Sequence, residues 1–225
     1  MVTRSDPSGT PSIDGFRWPN AEPLPSHSYL LPAVLRLLAG LRPAKRRLLD
    51  IGCGNGALSA VIAAHGWEVV GVDPSQEGIA VAGQAYPTVH FHRASACDDL
   101  RSKLGTFPVV VSLEVVEHVY APRDFAAGVV DVLDPGGTAI ISTPYHGYLK
   151  NLALAVTGKM DDHFSALWDH GHIKFWSERT LSRLLRDAGF VIDGFERVGR
   201  IPPLAKSMIV LCTKPAPCND PGGSG

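Results

Sequence analysis

Cysteine is scarce in this chain, and long apolar runs are missing from it. The 225 residues include four cysteines without a CxxC pair or a disulfide-framework spacing: Cys53, Cys97, Cys212 and Cys218. We therefore expect free thiols in a reducing compartment, with the cytoplasm as the location. No apolar run is long enough to span a bilayer, and the first residues lack the apolar core of a signal peptide. These absences argue against a secreted disulfide-stabilised domain and against a transmembrane protein.

An excess of charge of one sign is also lacking. The formal net charge is -1, so the chain has no general basic field that would hold nucleic acid, and no nucleic-acid partner is expected. Apolar residues make up 45% of the chain and charged residues 19%, which is typical of a globular protein. A chain of this length predicts one medium-sized domain with its own core.

Composition divides the chain into three parts. Residues 1–25 are rich in proline, serine and glycine and predict a flexible N-terminal arm, and residues 215–225 predict a disordered tail. Between them, residues 26–214 alternate strand-like and helix-like patterns, which is typical of a parallel sheet covered by helices on both faces. The predicted fold class is therefore α/β.

The individual elements follow from apolar patterning and from turn residues. The predicted strands are RRLLDIG, WEVVGVD, VHFHRA, PVVVSL, TAIISTP, VIDGFERVG and SMIVLCTK. The predicted helices are YLLPAVLRLLAG, ALSAVIAAHG, SQEGIAVAGQAY, PRDFAAGVVDVL and SERTLSRLLRDAGF. Ser26 or Ser28 is the expected cap of the first helix, and the segment 134–137, DPGG, is expected to be a turn between the fourth helix and the fifth strand.

A glycine-rich turn, LLDIGCGNG, joins the first predicted strand to the helix that follows it. Gly52, Gly54 and Gly56 allow backbone to pass close to a ligand, since a Cβ atom would clash there. Asp73 ends the neighbouring strand, where its carboxylate is placed to accept both hydroxyls of a ribose. Together they predict a nucleotide-like ligand, although a tight turn and a helix-capping aspartate would give the same residues.

The residue before the glycines distinguishes two ligand classes. The carboxylate of Asp50 would oppose a diphosphate but suits a sulfonium or an α-amino group, which favours S-adenosylmethionine over a dinucleotide. An NAD-dependent oxidoreductase remains the rival interpretation. The chain has no GxxxxGK[ST] phosphate loop, so an NTPase is disfavoured.

The chain resembles class I methyltransferases, and within them the ubiquinone-biosynthesis O-methyltransferase-like group. LLDIGCGNG, VVGVDPS, SACDDL, VVVSLEVVEHV and LDPGGTAIISTP are similar to that group's ordered motifs, over roughly 46–214. The resemblance implies a Rossmann-like sheet of seven strands, with the last strand antiparallel and helices on both faces. It also implies S-adenosylmethionine as the cofactor.

The resemblance implies which residues contact that cofactor. The glycines would line the methionine moiety, Asp73 would hold the ribose, and Asp98 would lie near the adenine amino group. An arginine of the family's first helix has no match here, where the chain has His27, Ser28 and Tyr29 instead. The complete expected set is Tyr29, Asp50, Gly52, Cys53, Gly54, Asn55, Gly56, Asp73, Pro74, Ser75, Ala96, Cys97, Leu113 and Glu114.

An ExxEH cluster follows the fourth strand, at the edge that would face the transferable methyl group. Glu114, Glu117 and His118 share a face if the segment forms a helical turn, and two carboxylates with an imidazole suit a divalent cation such as Mg²⁺. In the resembled family a further histidine completes the metal site, and His172 matches it best, with His170 second. His118 or His172 would otherwise act as a general base. A third interpretation leaves Glu114 on the cofactor and makes Glu117 and His118 helix caps.

Residues 145–173 form an insertion rich in apolar and aromatic side chains. They predict a lid over an acceptor with an apolar or aromatic part, unless they only pack on the sheet. Tyr145 and His146 are the expected acceptor contacts. Lys150 and Lys159 flank the apolar face of a possible amphipathic helix, which raises peripheral membrane contact as a variant.

The sequence thus predicts a methyltransferase that acts on a small molecule, with O-methylation of a hydroxyl as the expected reaction. N- or C-methylation on the same scaffold is the alternative, and a cofactor-binding protein without catalysis is a further one. The expected catalytic residues are His118, His172, Glu117 and His146.

Overall fold

A computed structural model of the chain describes residues 18–164, 166–168 and 171–217. In this part, seven strands form a single sheet in the order β3-β2-β1-β4-β5-β7-β6. The strands are β1 (Arg47–Ile51), β2 (Glu68–Asp73), β3 (His90–Arg93), β4 (Phe107–Leu113), β5 (Leu133–Pro144), β6 (Val191–Val198) and β7 (Ser207–Thr213). Strand β7 runs antiparallel to both β5 and β6, while β1 to β5 pair in parallel. The predicted Rossmann-like sheet with an antiparallel last strand is confirmed.

Helices cover both faces of this sheet. They are α1 (His27–Gly40), α2 (Ala57–Ala64), α3 (Gln76–Ala85), α4 (Leu100–Leu104), α5 (Pro122–Val132), α6 (Tyr148–Val156), α7 (Met160–Phe164) and α8 (Glu178–Asp187), with a 3₁₀ turn at Pro202–Leu204. Alternate residues of β1 enter two separate cores: Leu48 packs in the one that holds α1 and α2, and Leu49 in the one that holds α5 and α8. Burial on both faces explains the continuous apolar runs of the central strands.

Strand β5 begins earlier than its sequence predicts. The segment 134–137 was expected to be a turn, but it continues the strand back to Leu133. Backbone hydrogen bonds explain the difference: Gly136 donates to the carbonyl of Lys214, and Lys214 donates to the carbonyl of Gly137, each at 2.9 Å. Tertiary pairing with the end of β7 therefore overrides the local turn preference.

The part of the N-terminal arm that the structure describes is attached to the domain. Asn55 Nδ2 donates to the carbonyl oxygens of Asn20 and Glu22, at 3.0 and 2.9 Å, and Tyr86 Oη donates to the carbonyl of Ala21 at 2.8 Å. The expectation of a loose arm therefore does not hold for residues 20–22. Residues 1–17 and 218–225 lie outside the described part.

Three of the cysteines can be placed, and the predicted free thiols are found at Cys53, Cys97 and Cys212. Cys218 lies outside the described residues. None of the described helices is long and apolar enough to cross a membrane.

Candidate active site

Three expected site segments converge because their strands are neighbours in the sheet. Strand β1 lies between β2 and β4, and all three run in parallel, so their carboxyl ends meet at one edge. The glycine turn 52–56 follows β1, Asp73 ends β2, and Glu114 follows β4. The topology thus assembles in one place what the sequence distributes over about 60 residues.

The glycines of the turn are required by neighbouring side chains of the protein itself. Gly52 and Gly54 have positive φ angles of 83° and 53°. A Cβ atom on Gly52 would lie 2.3 Å from Val115 Cγ2, and one on Gly54 would lie 2.2 Å from Trp18 Cζ2. At Gly56 it would meet Phe91 Cζ at 2.6 Å. Sequence reasoning assigned this close approach to a ligand, and the structure adds close approaches by side chains of the protein itself.

Asp73 is buried at the end of β2, with 9% of its surface exposed. Its Oδ2 accepts a hydrogen bond from the backbone N–H of Gly54 at 2.9 Å, and its Oδ1 accepts one from the N–H of Ser75 at 2.8 Å. Two backbone donors therefore fix the plane of the carboxylate and connect it to the glycine turn. A carboxylate oxygen can accept more than one hydrogen bond, so these backbone bonds are compatible with a role in binding a ligand hydroxyl.

Asp50 and Asn55 have their side chains bonded to the protein. Asp50 points to the face of the sheet covered by α2, where its Oδ2 accepts from the hydroxyl of Ser59. Burial, opposed by this hydrogen bond and aided by the charge of Asp73, raises the pKa of Asp50 to about 7. The amide of Asn55 donates to the N-terminal segment, and its oxygen accepts from the N–H of Ala57. The buried thiol of Cys53 completes the turn, and burial raises its pKa.

The residues expected beside the adenine lie in the loop after β3. Ala96 is buried and Cys97 is exposed. Asp98 Oδ2 accepts from the N–H of Ser95 and from Lys103 Nζ, both at 3.2 Å. Asp98 thus connects the start of the loop to α4. The two residues after Asp73 serve the fold: Ser75 caps α3 by accepting from the N–H of Gly78, and the carbonyl of Pro74 accepts from Arg93 Nε.

Glu114 adopts a backbone conformation that is unusual for a residue with a side chain, with φ at 57°. Its carboxylate accepts from the hydroxyl of Ser142 at 2.7 Å and from that of Ser207 at 3.1 Å. Ser207 Oγ in turn lies 3.4 Å from Tyr29 Oη, which connects α1 to this site. Burial raises the pKa of Glu114 to about 7. Just before it, Leu113 lies at the end of β4 and is half-buried.

Glu117, His118 and His172 form a group that is spaced for binding a metal ion. One ligand atom from each lies within 4.8 Å of the other two. The segment before His118 makes one turn rather than a helix, with the N–H of His118 donating to the carbonyl of Val115. Glu114 is not part of this group, and serine hydroxyls bond both of its oxygens, so its expected role as a ligand of the same ion is not supported.

Backbone pairing brings His172 to this position from the far end of the insertion. The N–H groups of Ile173 and Lys174 both donate to the carbonyl of Glu117, at 2.9 and 3.0 Å. His118 Nδ1 lies 3.2 Å from the carbonyl of Gly171, which leaves Nε2 as the acceptor or ligand atom. His170, the second choice from sequence, lies outside the described residues.

The protonation of this group follows from its burial. Both carboxylate oxygens of Glu117 are buried, and neither has a hydrogen-bond partner among the described residues. Burial together with the charge of Glu114 raises the pKa of Glu117 well above the usual range. Burial lowers the pKa of His172 to about 4, so its imidazole is neutral at neutral pH. A neutral imidazole is the form that binds a metal ion or accepts a proton.

His146 lies in an aromatic cluster that sequence reasoning did not foresee. Its ring stacks on Phe164 at 5.8 Å and meets Phe175 and His163 edge-on at 5.1 and 5.5 Å. Its Nδ1 is buried without a hydrogen-bond partner, and burial lowers its pKa to about 4. Phe164 and His163 belong to α7, so the only sequence signal for them was the aromatic content of the insertion. Tyr145, the other expected acceptor contact, is buried beneath the guanidinium of Arg197.

The insertion leaves most of its large apolar side chains in contact with solvent. The exposed ones are Tyr148, Leu149, Leu152, Val156, Met160, Leu167, Trp168 and Ile173. Lys150 does not flank this apolar surface as expected: it is buried, and its Nζ donates to the carbonyls of Tyr145 at 2.8 Å and Lys206 at 3.4 Å. Lys159 remains exposed. The alternative that these side chains simply pack on the sheet is therefore wrong for those named here.

Comparison with known proteins bears on both the sequence and the fold. A family model described as a methyltransferase domain matches residues 26–193. A ubiquinone biosynthesis O-methyltransferase from Thiobacillus denitrificans is 33% identical over 183 residues, which cover 77% of each chain. Its namesake from Aromatoleum aromaticum is 33% identical over 155 residues, which cover 67% of this chain and 65% of that protein.

Among solved structures, magnesium protoporphyrin IX methyltransferase from Synechocystis with bound SAH has a similar fold. It superimposes with a TM-score of 0.60 at 20% identity, covering 82% of this chain and 80% of that chain. At this identity the similarity establishes the architecture alone.

Proposed function

Because the chain belongs to the class I S-adenosylmethionine-dependent methyltransferases, we propose that it transfers the methyl group to a hydroxyl oxygen of a small molecule. The observation that carries this proposal is the group Glu117, His118 and His172, which lies just past the end of β4, beside the glycine turn and Asp73. The rival interpretation as an NAD-dependent oxidoreductase is wrong, because the matched domain is that of a methyltransferase.

The proposed cofactor site is the edge formed by β1, β2 and the loop after β3. The backbone of the turn 52–56 would bind the methionine moiety, and the carboxylate of Asp73, oriented by the N–H groups of Gly54 and Ser75, would accept the ribose hydroxyls. Ala96 and Cys97 would flank the adenine, and Leu113 would contact the cofactor from β4. Asp50 and Asn55 would support this site indirectly, because their side chains are bonded to Ser59 and to the N-terminal segment.

The proposed reaction is a direct displacement at the methyl carbon. The acceptor oxygen forms a bond to that carbon, the carbon–sulfur bond breaks with inversion, and adenosylhomocysteine leaves as the neutral thioether. The hydroxyl proton passes to an imidazole nitrogen of His118 or His172. The positive charge that results lies beside Glu117 and favours its ionised form, against the effect of burial on its pKa. Holding the oxygen in line with the methyl group supplies most of the remaining acceleration.

The same three residues fit a divalent cation, and we propose this as the second form of the mechanism. Glu117 offers two buried oxygens without hydrogen-bond partners, and such atoms cost free energy unless a ligand satisfies them. His118 has its Nδ1 against the carbonyl of Gly171, which orients Nε2 as histidine ligands require. A bound Mg²⁺ or Mn²⁺ would lower the pKa of the acceptor hydroxyl.

The proposed acceptor has an apolar or aromatic part, because the insertion surrounds His146 with aromatic rings and exposes apolar side chains around it. Four exposed apolar residues lie on α6: Tyr148, Leu149, Leu152 and Val156. An exposed apolar helix face of this kind is also suited to peripheral contact with a membrane that contains such an acceptor.

A panel of phenols, sugars and amines tests the proposed function. We expect release of adenosylhomocysteine with a phenolic acceptor and an O-methyl product in its mass spectrum. A product methylated on nitrogen or carbon would replace O-methylation by the alternative chemistry. Absence of turnover with every acceptor class, despite adenosylhomocysteine binding, would favour a cofactor-binding protein without catalysis.

Chelation separates the two forms of the mechanism. If a cation takes part, EDTA abolishes turnover, Mg²⁺ or Mn²⁺ restores it, and Mn²⁺ binding seen by electron paramagnetic resonance disappears in Glu117→Gln. Full turnover after exhaustive chelation would show that no cation takes part, and the imidazole base would then be the remaining form of the mechanism.

A further inference from the structure

The N-terminal strap, residues 18–22, lies across the glycine turn although its composition predicted a loose arm. It is attached at both ends and in the middle. The N–H of Trp18 donates to Glu77 Oε2 at 3.3 Å, Tyr86 Oη donates to the carbonyl of Ala21, and the Asn55 amide bonds two strap carbonyls. Asn55 is thereby 2% exposed, so the strap seals the inner side of the turn.

The indole ring of Trp18 fills a space that two glycines leave open. A Cβ atom on Gly54 would lie 2.2 and 2.3 Å from its Cζ2 and Cη2, and one on Gly78 would lie 3.0 Å from its Cδ1. The ring therefore packs between the glycine turn and the first turn of α3. Any side chain at Gly54 would force the indole ring to shift.

This ring is connected to Asp73 through one residue. Gly54 contacts the indole on one side, and its N–H donates to Asp73 Oδ2 at 2.9 Å. Gly78, the second contact, donates its N–H to the hydroxyl of Ser75, whose own N–H bonds the other oxygen of Asp73. One donor to the carboxylate is therefore the N–H of Gly54, which Trp18 contacts directly. The other is the N–H of Ser75, and the hydroxyl of Ser75 bonds Gly78, the second residue that Trp18 contacts.

We propose that the N-terminal strap is part of the cofactor site and that Trp18 is a positioning residue, which holds Gly54 and Asp73 in the conformation that binds adenosylmethionine. The inference rests on the proposed assignment of the turn and Asp73 to the cofactor. Because coupling between two binding events is reciprocal, a bound cofactor also stabilises the strap on the domain.

A blocking role for the same contacts predicts the opposite change in cofactor affinity. A strap that blocks the site would compete with the cofactor, and removal of the Trp18 ring would strengthen cofactor binding. A strap that positions the turn makes binding weaker when the ring is lost. The sign of the change in affinity therefore decides between the two.

The test is calorimetric titration of the whole chain with adenosylhomocysteine. We expect Trp18→Leu to weaken binding by about tenfold and Trp18→Phe, which keeps a ring, to recover most of the affinity. Trp67→Leu is the control for loss of an indole ring: Trp67 is more deeply buried than Trp18, and it precedes β2, at the end of the strand away from Asp73. It should lower the melting temperature and leave the affinity at the wild-type value.

A double-mutant cycle with Asp73→Asn tests whether Trp18 acts through that carboxylate. We expect the combined variant to lose less affinity than the product of the two single losses, because the ring has little left to orient once the carboxylate is gone. Losses that multiply, an unchanged affinity in Trp18→Leu, or tighter binding in Trp18→Leu would each overturn the proposal. If wild-type protein binds no adenosylhomocysteine, or if Asp73→Asn leaves binding unchanged, the cofactor assignment itself fails, and the strap proposal fails with it.

Discussion

The proposed cofactor edge, which is formed by the turn 52–56 and Asp73, and the proposed acceptor edge, which is formed by Glu117, His118, His172 and His146, differ in one respect. They differ in how many of their buried polar atoms have hydrogen-bond partners within the protein. At the cofactor edge, Asp73, Asp50 and Asn55 are buried and hydrogen-bonded to backbone or to serine. At the acceptor edge, Glu117 and His146 are also buried, yet no described residue forms a hydrogen bond with Glu117 Oε1, Glu117 Oε2 or His146 Nδ1. The first edge has its partners within the protein, whereas a ligand or an ion that supplied partners at the second would offset the cost of burying these atoms.

The difference has a topological cause. At the cofactor edge, Asp73 accepts from the backbone N–H groups of two loops that follow parallel strands, and Asp50 accepts from the hydroxyl of Ser59. At the acceptor edge, the backbone that comes from the insertion, 53 positions away at Gly171, bonds the imidazole of His118 and the carbonyl of Glu117, and no described donor bonds the Glu117 carboxylate. The exposed apolar surface of the insertion belongs to the same edge.

The largest effect in this comparison should come from Glu117. We expect Glu117→Gln to reduce turnover by about 100-fold or more, the scale of a lost acid–base or ligand group, and to leave adenosylhomocysteine affinity unchanged. Steady-state kinetics with the acceptor found in the panel, and calorimetry, measure the two quantities. Glu68→Gln, at the amino end of β2, is the surface control. A parallel loss of cofactor affinity in Glu117→Gln would show that the two edges are not separate.

Asp73→Ala tests the cofactor edge by the reverse pattern. Loss of hydrogen bonds to a charged group should weaken adenosylhomocysteine binding by roughly 1.5–3 kcal/mol. Wild-type protein should be stabilised by about 2.7 kcal/mol at a hundredfold excess of adenosylhomocysteine over its dissociation constant, and the variant by less at the same concentration. Thermal melts with and without ligand provide the measurement. Equal stabilisation of variant and wild type would mean that residues other than Asp73 bind the ribose.

Lys150 connects the insertion to the turn between β6 and β7, so Lys150→Met should act on the acceptor edge alone. The carbonyl of Tyr145 would lose this donor, while the carbonyl of Lys206 would keep the N–H of Tyr145, and we expect a loss of about 1–3 kcal/mol in the free energy of unfolding. Amide exchange in α6 should accelerate while cofactor affinity is kept. Lys159→Met, at an exposed position three residues after α6, should change stability by no more than about 0.5 kcal/mol. Similar effects of the two substitutions would mean that the buried lysine does not hold the helix.

The smallest expected effect is on the pH dependence of stability, through Asp50. Its pKa is raised to about 7 in the folded protein, so the folded state binds the proton more tightly than the unfolded chain. This contribution to stability is present at low pH and is lost as the pH rises from about 4 to about 7. Asp50→Asn keeps an oxygen for Ser59 and cannot titrate, so its stability should fall less steeply over that range. Chemical denaturation at several pH values measures the slope, and an unchanged slope would show that other groups cause it.

Several features of the fold followed from the sequence because they are local. The seven strands, the main helices and the glycine turn are set by apolar periodicity, by glycines and by caps within a few residues, and the structure confirms their order. The early start of β5 did not follow, since its DPGG segment reads as a turn until Lys214 pairs with it.

For the site, residue types and strand ends predicted that Asp73, Glu117 and His118 lie near one edge, and the resemblance to a known family added His172. What each side chain bonds to was decided by tertiary structure. Glu114 is held by serines on β5 and β7, Lys150 is buried rather than exposed, and Trp18 packs against Gly54. The two bonds of Glu114 join residues 28 and 93 positions apart, and no pattern within one segment of the chain encodes a partner at such a distance.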